Sequence, residues 1–122
     1  MQPCIRTLYL LVRAIKFIGR FIQTTDIDDL QGINEKWFRN FLSCLNGVRL
    51  YGDDFEKMAE NITTNTSEAQ VINEFYSLLG SDSVFGGTRF WAATENRIRG
   101  KYAWFNRWRL ERYRRAIVKL LP

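Results

Sequence analysis

The residues best equipped to do chemistry in this chain are cations and aromatic rings. From residue 89 onward stand Arg89, Arg97, Arg99, Lys101, Arg107, Arg109, Arg112, Arg114, Arg115 and Lys119, interleaved with Phe90, Trp91, Tyr102, Trp104, Phe105, Trp108 and Tyr113. Guanidinium and ammonium groups neutralise phosphates, and aromatic faces stack on unpaired bases. The same mixture suits a membrane interface, where tryptophan sits at headgroup depth and cations meet anionic lipid. Arg97, Arg99, Lys101, Trp104, Arg107, Trp108, Arg109, Arg112, Arg114, Arg115 and Lys119 are therefore the candidate nucleic-acid or anionic-surface site. A core helix with buried tryptophans and solvated arginines would produce the same pattern. A second basic stripe, Arg6, Arg13, Lys16 and Arg20, lies near the N-terminus.

Other chemistries find few residues to carry them. The chain has no histidine, which removes the usual general base and the commonest metal ligand. Its two cysteines, Cys4 and Cys44, form no CxxC pair, so neither a disulfide framework nor a structural zinc site is expected. Gly86-Gly87 lacks the spacing and the following Lys-Ser/Thr of a phosphate-binding loop. Ser43, Cys4 and Cys44 have no obvious activating base. Asp53-Asp54 reads as a helix start. Asp26, Asp28, Asp29 and Gly32 faintly suggest a calcium loop, but Leu30 stands where a ligand belongs and Trp37 replaces the closing glutamate. No catalytic residue, metal site, cofactor or small-molecule substrate is expected.

The modest net charge of +5 over 122 residues conceals a strong pattern. Residues 1–24 hold four cations and no acid, residues 25–86 four cations and eleven acids, and residues 87–122 ten cations and two acids. An acidic middle thus lies between two basic ends, which points to an interaction surface at the ends, or to ends that pack on the middle. With 46% hydrophobic residues and 15% aromatics, a packed core is within reach. No apolar run attains the roughly 18 residues that span a bilayer. The basic, acid-free N-terminal segment also has the character of a mitochondrial presequence, apart from its shortage of serine.

Periodicity supplies the elements that must position these groups. Ile5, Leu8, Leu11, Val12, Ile15, Ile18 and Ile22 recur at helical spacing, while Arg6, Tyr9, Arg13, Lys16 and Arg20 share the other side. That segment is either a core helix with a solvated basic stripe or a helix lying on an anionic membrane. Thr24–Asp29 is a polar break. A second helix over 34–50 places Trp37, Phe38, Phe41, Leu42, Leu45 and Val48 on one face, and Tyr51-Gly52 stops it. Phe55, Met58, Ala59 and Ile62 mark a short third segment. After the polar loop Thr63–Thr66, Ser67 and Gln70 have capping-box spacing before Val71, Ile72, Phe75, Leu78 and Leu79, with Gly80 as the stop. Asn61 and Asn65 match glycosylation acceptors but read as loop and cap residues. Ser81–Gly87 is a loop. Helix is expected from Thr88 to Leu121, with a break near Gly100. There Leu110, Tyr113, Ile117, Leu120 and Leu121 form an apolar stripe, roughly opposite Trp104, Trp108, Arg112, Arg115 and Lys119.

The run Leu45-Asn-Gly-Val-Arg-Leu-Tyr51-Gly52-Asp-Asp-Phe55-Glu-Lys-Met58-Ala59, followed by Ser67, Gln70, Val71, Phe75 and Tyr76, resembles a SANT domain, the Myb-like three-helix module of chromatin regulators. The resemblance covers residues 34–79. It implies a three-helix unit in which the third helix would face a partner. DNA-reading Myb modules carry cations on that helix. Here it has Glu68 and Glu74 and no Lys or Arg, so facing phosphates with it would be unfavourable. SANT-type modules more often engage proteins, including basic histone tails.

The expected architecture is therefore all-α and one domain over residues 1–122: a basic amphipathic helix (1–24), an acidic SANT-like three-helix unit (34–79) and a long basic aromatic helical region (88–121). The expected function is non-enzymatic and regulatory: an intracellular, preferentially nuclear adaptor whose acidic unit contacts a chromatin or host protein and whose basic ends contact nucleic acid. Two other readings remain open: a peripheral membrane or mitochondrial protein that binds anionic lipid, and a small viral or mobile-element inhibitor of a host protein.

Overall fold

Leu8, Leu11, Val12, Ala14, Ile15, Phe17 and Ile18 repeat along one side of the first helix, and every one of them is buried. In the computed structural model, which describes residues 4–23, 30, 33–60 and 66–122 (only the backbone at 66 and 67), the elements are α1 (Ile5–Ile18), α2 (Glu35–Glu60), α3 (Thr66–Ser77), α4 (Arg89–Asn96) and α5 (Ala103–Val118). A 3-10 turn at Val84–Gly86 precedes α4. The described residues are all helical and irregular, with no strand. The polar break at Thr24–Asp29, the calcium-like pattern around Asp28 and Gly32, the Asn61 and Asn65 segment and the Ser67 cap side chain fall outside what is described.

Asn34 starts α2 by accepting a hydrogen bond from the Trp37 amide at 3.0 Å through its Oδ1. The stop expected at Tyr51-Gly52 is present as a kink. Gly52 takes φ +48 and ψ −129, a backbone state that a Cβ disfavours, and divides α2 into arms at 35–51 and 53–60. Phe55 of the second arm then meets Phe75 of α3 with ring centroids 5.0 Å apart. In the first arm, Trp37 stacks on Phe41 at 5.7 Å and meets Phe85 and Phe90 edge-on at 4.7 and 5.2 Å. This aromatic cluster fastens the 3-10 turn and α4 to α2.

Two of the four tryptophans belong to the core, and both satisfy their indole N–H. Trp37 Nε1 donates to the Leu78 carbonyl at 3.0 Å, and Trp91 Nε1 donates to the Phe85 carbonyl at 2.8 Å. A buried N–H without an acceptor would cost about 1–3 kcal/mol, so these carbonyls fix the rings in place.

The N-terminal helix takes the core-helix alternative of the two that its periodicity left open. It packs against α2, α3 and α5, and its buried residues share one hydrophobic cluster with those of the other helices. Gly19, just beyond α1, lies so close to Leu45 that a Cβ there would overlap the leucine side chain. The region 88–121 breaks, as expected, near Gly100, where φ is +99, and forms the two helices α4 and α5. Among the described residues no helix is long and apolar enough to cross a membrane.

Candidate functional site

The last helix is anchored by a narrow stripe. Leu110 and Ile117, seven residues apart, are its buried residues, and Tyr113 beside them leans on Phe17 of α1 at 5.4 Å. At about 100° per residue, Trp104, Phe105, Trp108, Arg112, Arg115 and Lys119 all fall within an arc of about 100° opposite that stripe. All six are exposed: Trp104 is 72% accessible, Trp108 51% and Phe105 40%. The rings form a contiguous group, with Phe105 stacked on Trp108 at 5.8 Å and edge-on to Trp104 at 5.9 Å. Aromatics occupy the N-terminal half of this face and cations the C-terminal half.

The remaining candidates divide by what they touch. Arg112 places its guanidinium over Trp108, 4.9 Å from the ring centroid. Arg109 lies 4.5 Å over Phe17 and 5.9 Å from Phe105, at the edge of the face. Lys101 sits 5.7 Å from the Tyr102 ring. Arg107 turns toward α4 and donates to the Ile98 carbonyl at 3.1 Å. Arg97 and Arg99 donate to the carbonyls of Ala93 and Ile98 at 2.9 and 3.2 Å, which ties them to the α4–α5 corner. Arg114 binds Glu111 through two hydrogen bonds, at 2.8 and 2.5 Å, and Arg115 reaches the same carboxylate at 3.2 Å. Arg114, followed by Arg115, holds the Glu111 carboxyl down to about 2. Thus Trp104, Trp108, Arg112, Arg115 and Lys119 come together on one outward face. Arg97, Arg99, Arg107 and Arg114 are occupied largely in holding the helix ends and flanks.

The N-terminal stripe is divided as well. Arg6 and Arg13 line an open cleft that also presents Asp53, Glu56 and Glu60 of α2. Tyr9 donates its hydroxyl to the Glu56 carbonyl at 3.0 Å across this cleft. The neighbouring Glu60 carboxylate, with partial burial, pushes the Tyr9 phenol up to about 12. Lys16 is exposed, and Arg20 lies over Phe17 and Phe21 at 5.7 and 5.4 Å. Half of the stripe therefore lies along a cleft whose other wall carries three acids and Lys57, which makes it a poorer place for an outside phosphate.

Phe105 is the residue of the outward face that the sequence-based site omitted. The signal that finds it is its angular position on α5, on the same side as Trp104 and Trp108 and away from Leu110. Among the described residues no group of three or more potential ligands could hold a metal ion. The cysteines differ sharply. Cys4 is exposed, and the amides of Thr7 and Arg6 at the start of α1 lower its thiol, whereas burial, reinforced by Glu74, pushes the Cys44 thiol up to about 12. No family model matches the chain, and the search of curated proteins and of solved structures gives no significant match.

Proposed function

We propose that this protein is a non-enzymatic nucleic-acid-binding adaptor that takes single-stranded nucleic acid on the outward face of α5. The observation that carries this reading is the exposure of Trp104, Phe105 and Trp108 as one ring group in line with Arg112, Arg115 and Lys119. Rings offered to solvent can stack on bases, and the cations beyond them can follow the phosphates. A duplex already stacks its bases internally, so it would engage the cations and leave the rings unused.

The middle of the chain we read as a SANT-like unit for protein contacts. The order of two helical arms, the break at Gly52 and a third helix over Thr66–Ser77 fit that reading. So does the charge of the third helix, whose charged residues are Glu68 and Glu74. A nucleic-acid partner on α5 and a basic protein segment near α3 would occupy different sides of one small domain. Such an adaptor belongs in the nucleus.

The test is fluorescence anisotropy with a labelled single-stranded oligonucleotide, the matching duplex and sedimentation with phosphatidylserine vesicles, all at low salt. We expect the single strand to bind more tightly than the duplex, and Arg112→Glu with Arg115→Glu to weaken it at least tenfold. Failure to bind either nucleic acid while sedimenting with the vesicles replaces this reading with a lipid-binding one.

A further inference from the structure

A groove between α1 and α5 runs beside the outward face. It is lined by Leu10, Trp108, Arg109, Arg112, Tyr113 and Ala116, with a volume of about 320 Å³. We infer that this groove is a discrete subsite for one nucleotide, with the base on the ring of Trp108, Tyr113 lining the groove beyond it, and its phosphate held by Arg109 and Arg112. The inference rests on the nucleic-acid reading of α5 and adds to it a defined place for a single unstacked base.

The chemistry of the lining favours this occupant. Trp108 supplies a face for a planar ring once the Arg112 guanidinium moves off it, and Tyr113, Leu10 and Ala116 supply apolar contact. Trp108 already accepts a planar cation, since the Arg112 guanidinium lies 4.9 Å from its centroid. A base entering along that ring would take over the stacking, and the guanidinium would turn to the phosphate. Arg109, packed on Phe17 at 4.5 Å, is the more firmly positioned of the two cations. The volume lies at the small end of ligand pockets, which suits a mononucleotide rather than a larger cofactor.

Other clefts are less suited. The larger one beside Arg6 and Arg13 also carries Asp53, Glu56 and Glu60, and the one between α4 and α5 carries Glu95 and Glu111. Carboxylates in those walls oppose a phosphate. No carboxylate lines the groove at Trp108. The cleft at Arg20, Arg97 and Arg99 is also free of acid in its lining, but two of its arginines are donating to backbone carbonyls.

The experiment titrates the full chain with adenosine 5′-monophosphate and, separately, with ribose 5-phosphate, following the Trp108 and Tyr113 ring resonances by NMR. Adenosine monophosphate is expected to shift both rings and to bind at least about tenfold more tightly than ribose 5-phosphate, because the base supplies the stacking. Ala116→Leu fills the floor of the groove and should abolish the response to the mononucleotide, while leaving single-strand binding by the rest of α5 within a few-fold of the parent. Trp108→Leu, at an exposed position and followed at the Tyr113 ring alone, gives the same loss of mononucleotide response should the first variant fail to fold. Equal affinity for the two probes, or an unchanged mononucleotide response in both variants, overturns the subsite even if oligonucleotides still bind. Absence of oligonucleotide binding to the parent chain removes the subsite together with the reading it rests on.

Discussion

The two halves of the α5 face should be separable by salt. Binding that neutralises phosphates releases counterions, and for single strands log K falls with log salt at about −0.7 per phosphate engaged. The outward face presents Arg112, Arg115 and Lys119, with Arg109 at its edge. Three to four contacts imply a slope of roughly −2 to −3, or a 20- to 50-fold loss of affinity between about 50 and 200 mM salt. Replacing Arg112, Arg115 and Lys119 together by Gln should flatten the slope to about −0.7, the part left to Arg109. Arg115 must first leave Glu111, 3.2 Å away, but at 73% exposure that pair is worth less than about 1 kcal/mol. Replacing Trp104 and Phe105 by Ala should instead lower affinity at every salt concentration, by about 1–3 kcal/mol for each base that loses its stacking partner, with the slope unchanged. Anisotropy titrations at four or five salt concentrations measure both quantities. All five positions are exposed, so thermal melts should show little loss of stability in either variant. A slope indifferent to the triple substitution would refute the placement of the phosphates. So would an aromatic variant whose slope changes as much as that of the cation variant.

Four further outcomes probe the scaffold. Gly19→Ala should destabilise the protein by about 1–3 kcal/mol in urea unfolding, because the added methyl meets a Leu45 that is itself buried; a loss below about 0.5 kcal/mol would mean that α1 and α2 can separate freely. Gly52→Ala should cost about 1–3 kcal/mol from backbone strain alone, since nothing lies near enough to clash, and an unaffected midpoint would contradict the positive φ. Glu111 should remain ionised to about pH 2 by carboxyl NMR titration. Its folded value lies below the ordinary 4.5, so its contribution is complete above that pH and is lost as pH falls toward 2. For so exposed a group the effect should be under about 1 kcal/mol and absent in Glu111→Gln. Alkylation of the folded protein should modify Cys4 rapidly and Cys44 only on unfolding, as mass spectrometry of the two peptides would show; equal rates would contradict the burial of Cys44.

Much of this scaffold was legible in the sequence because it depends on local rules. The apolar period of α1, the stop at Tyr51-Gly52, the loop after Gly80 and the break at Gly100 each follow from side-chain spacing or from a backbone state that glycine tolerates. The burial of Trp91 and the partners of the buried indoles did not follow. Trp37 and Trp91 are buried by packing on other rings, and the Leu78 and Phe85 carbonyls remove the cost of burying their indole N–H groups; those meetings depend on how separate elements fold onto one another. The fate of the arginines was equally obscure. Arg107 and Arg99 converge on the carbonyl of Ile98, and Arg6 and Arg13 face acids some forty residues away in the chain. Charge counts treat all such groups as equivalent, and only the tertiary arrangement assigns some to structure and leaves others available.

The cations of α5 have a local explanation that needs no ligand, and the rings do not. Arg112, Arg115 and Lys119 lie toward the C-terminal end of the helix, where positive charge complements the macrodipole. A single exposed apolar side chain likewise calls for no account: Leu50 is 81% accessible at the α2 kink and signifies little by itself. Three contiguous rings on one helix face are different, because burying them would be favourable and the fold has left them out. The core shows how this chain treats a tryptophan it uses for stability: it buries the ring and gives the indole N–H a carbonyl. Trp104 and Trp108 receive neither. The stacking arm of the salt experiment is therefore the decisive one. Loss of the cations would weaken attraction to any polyanion, but among dissolved polyanions only one with planar groups of its own should respond to the loss of Trp104 and Phe105; the vesicle arm separates it from a lipid surface.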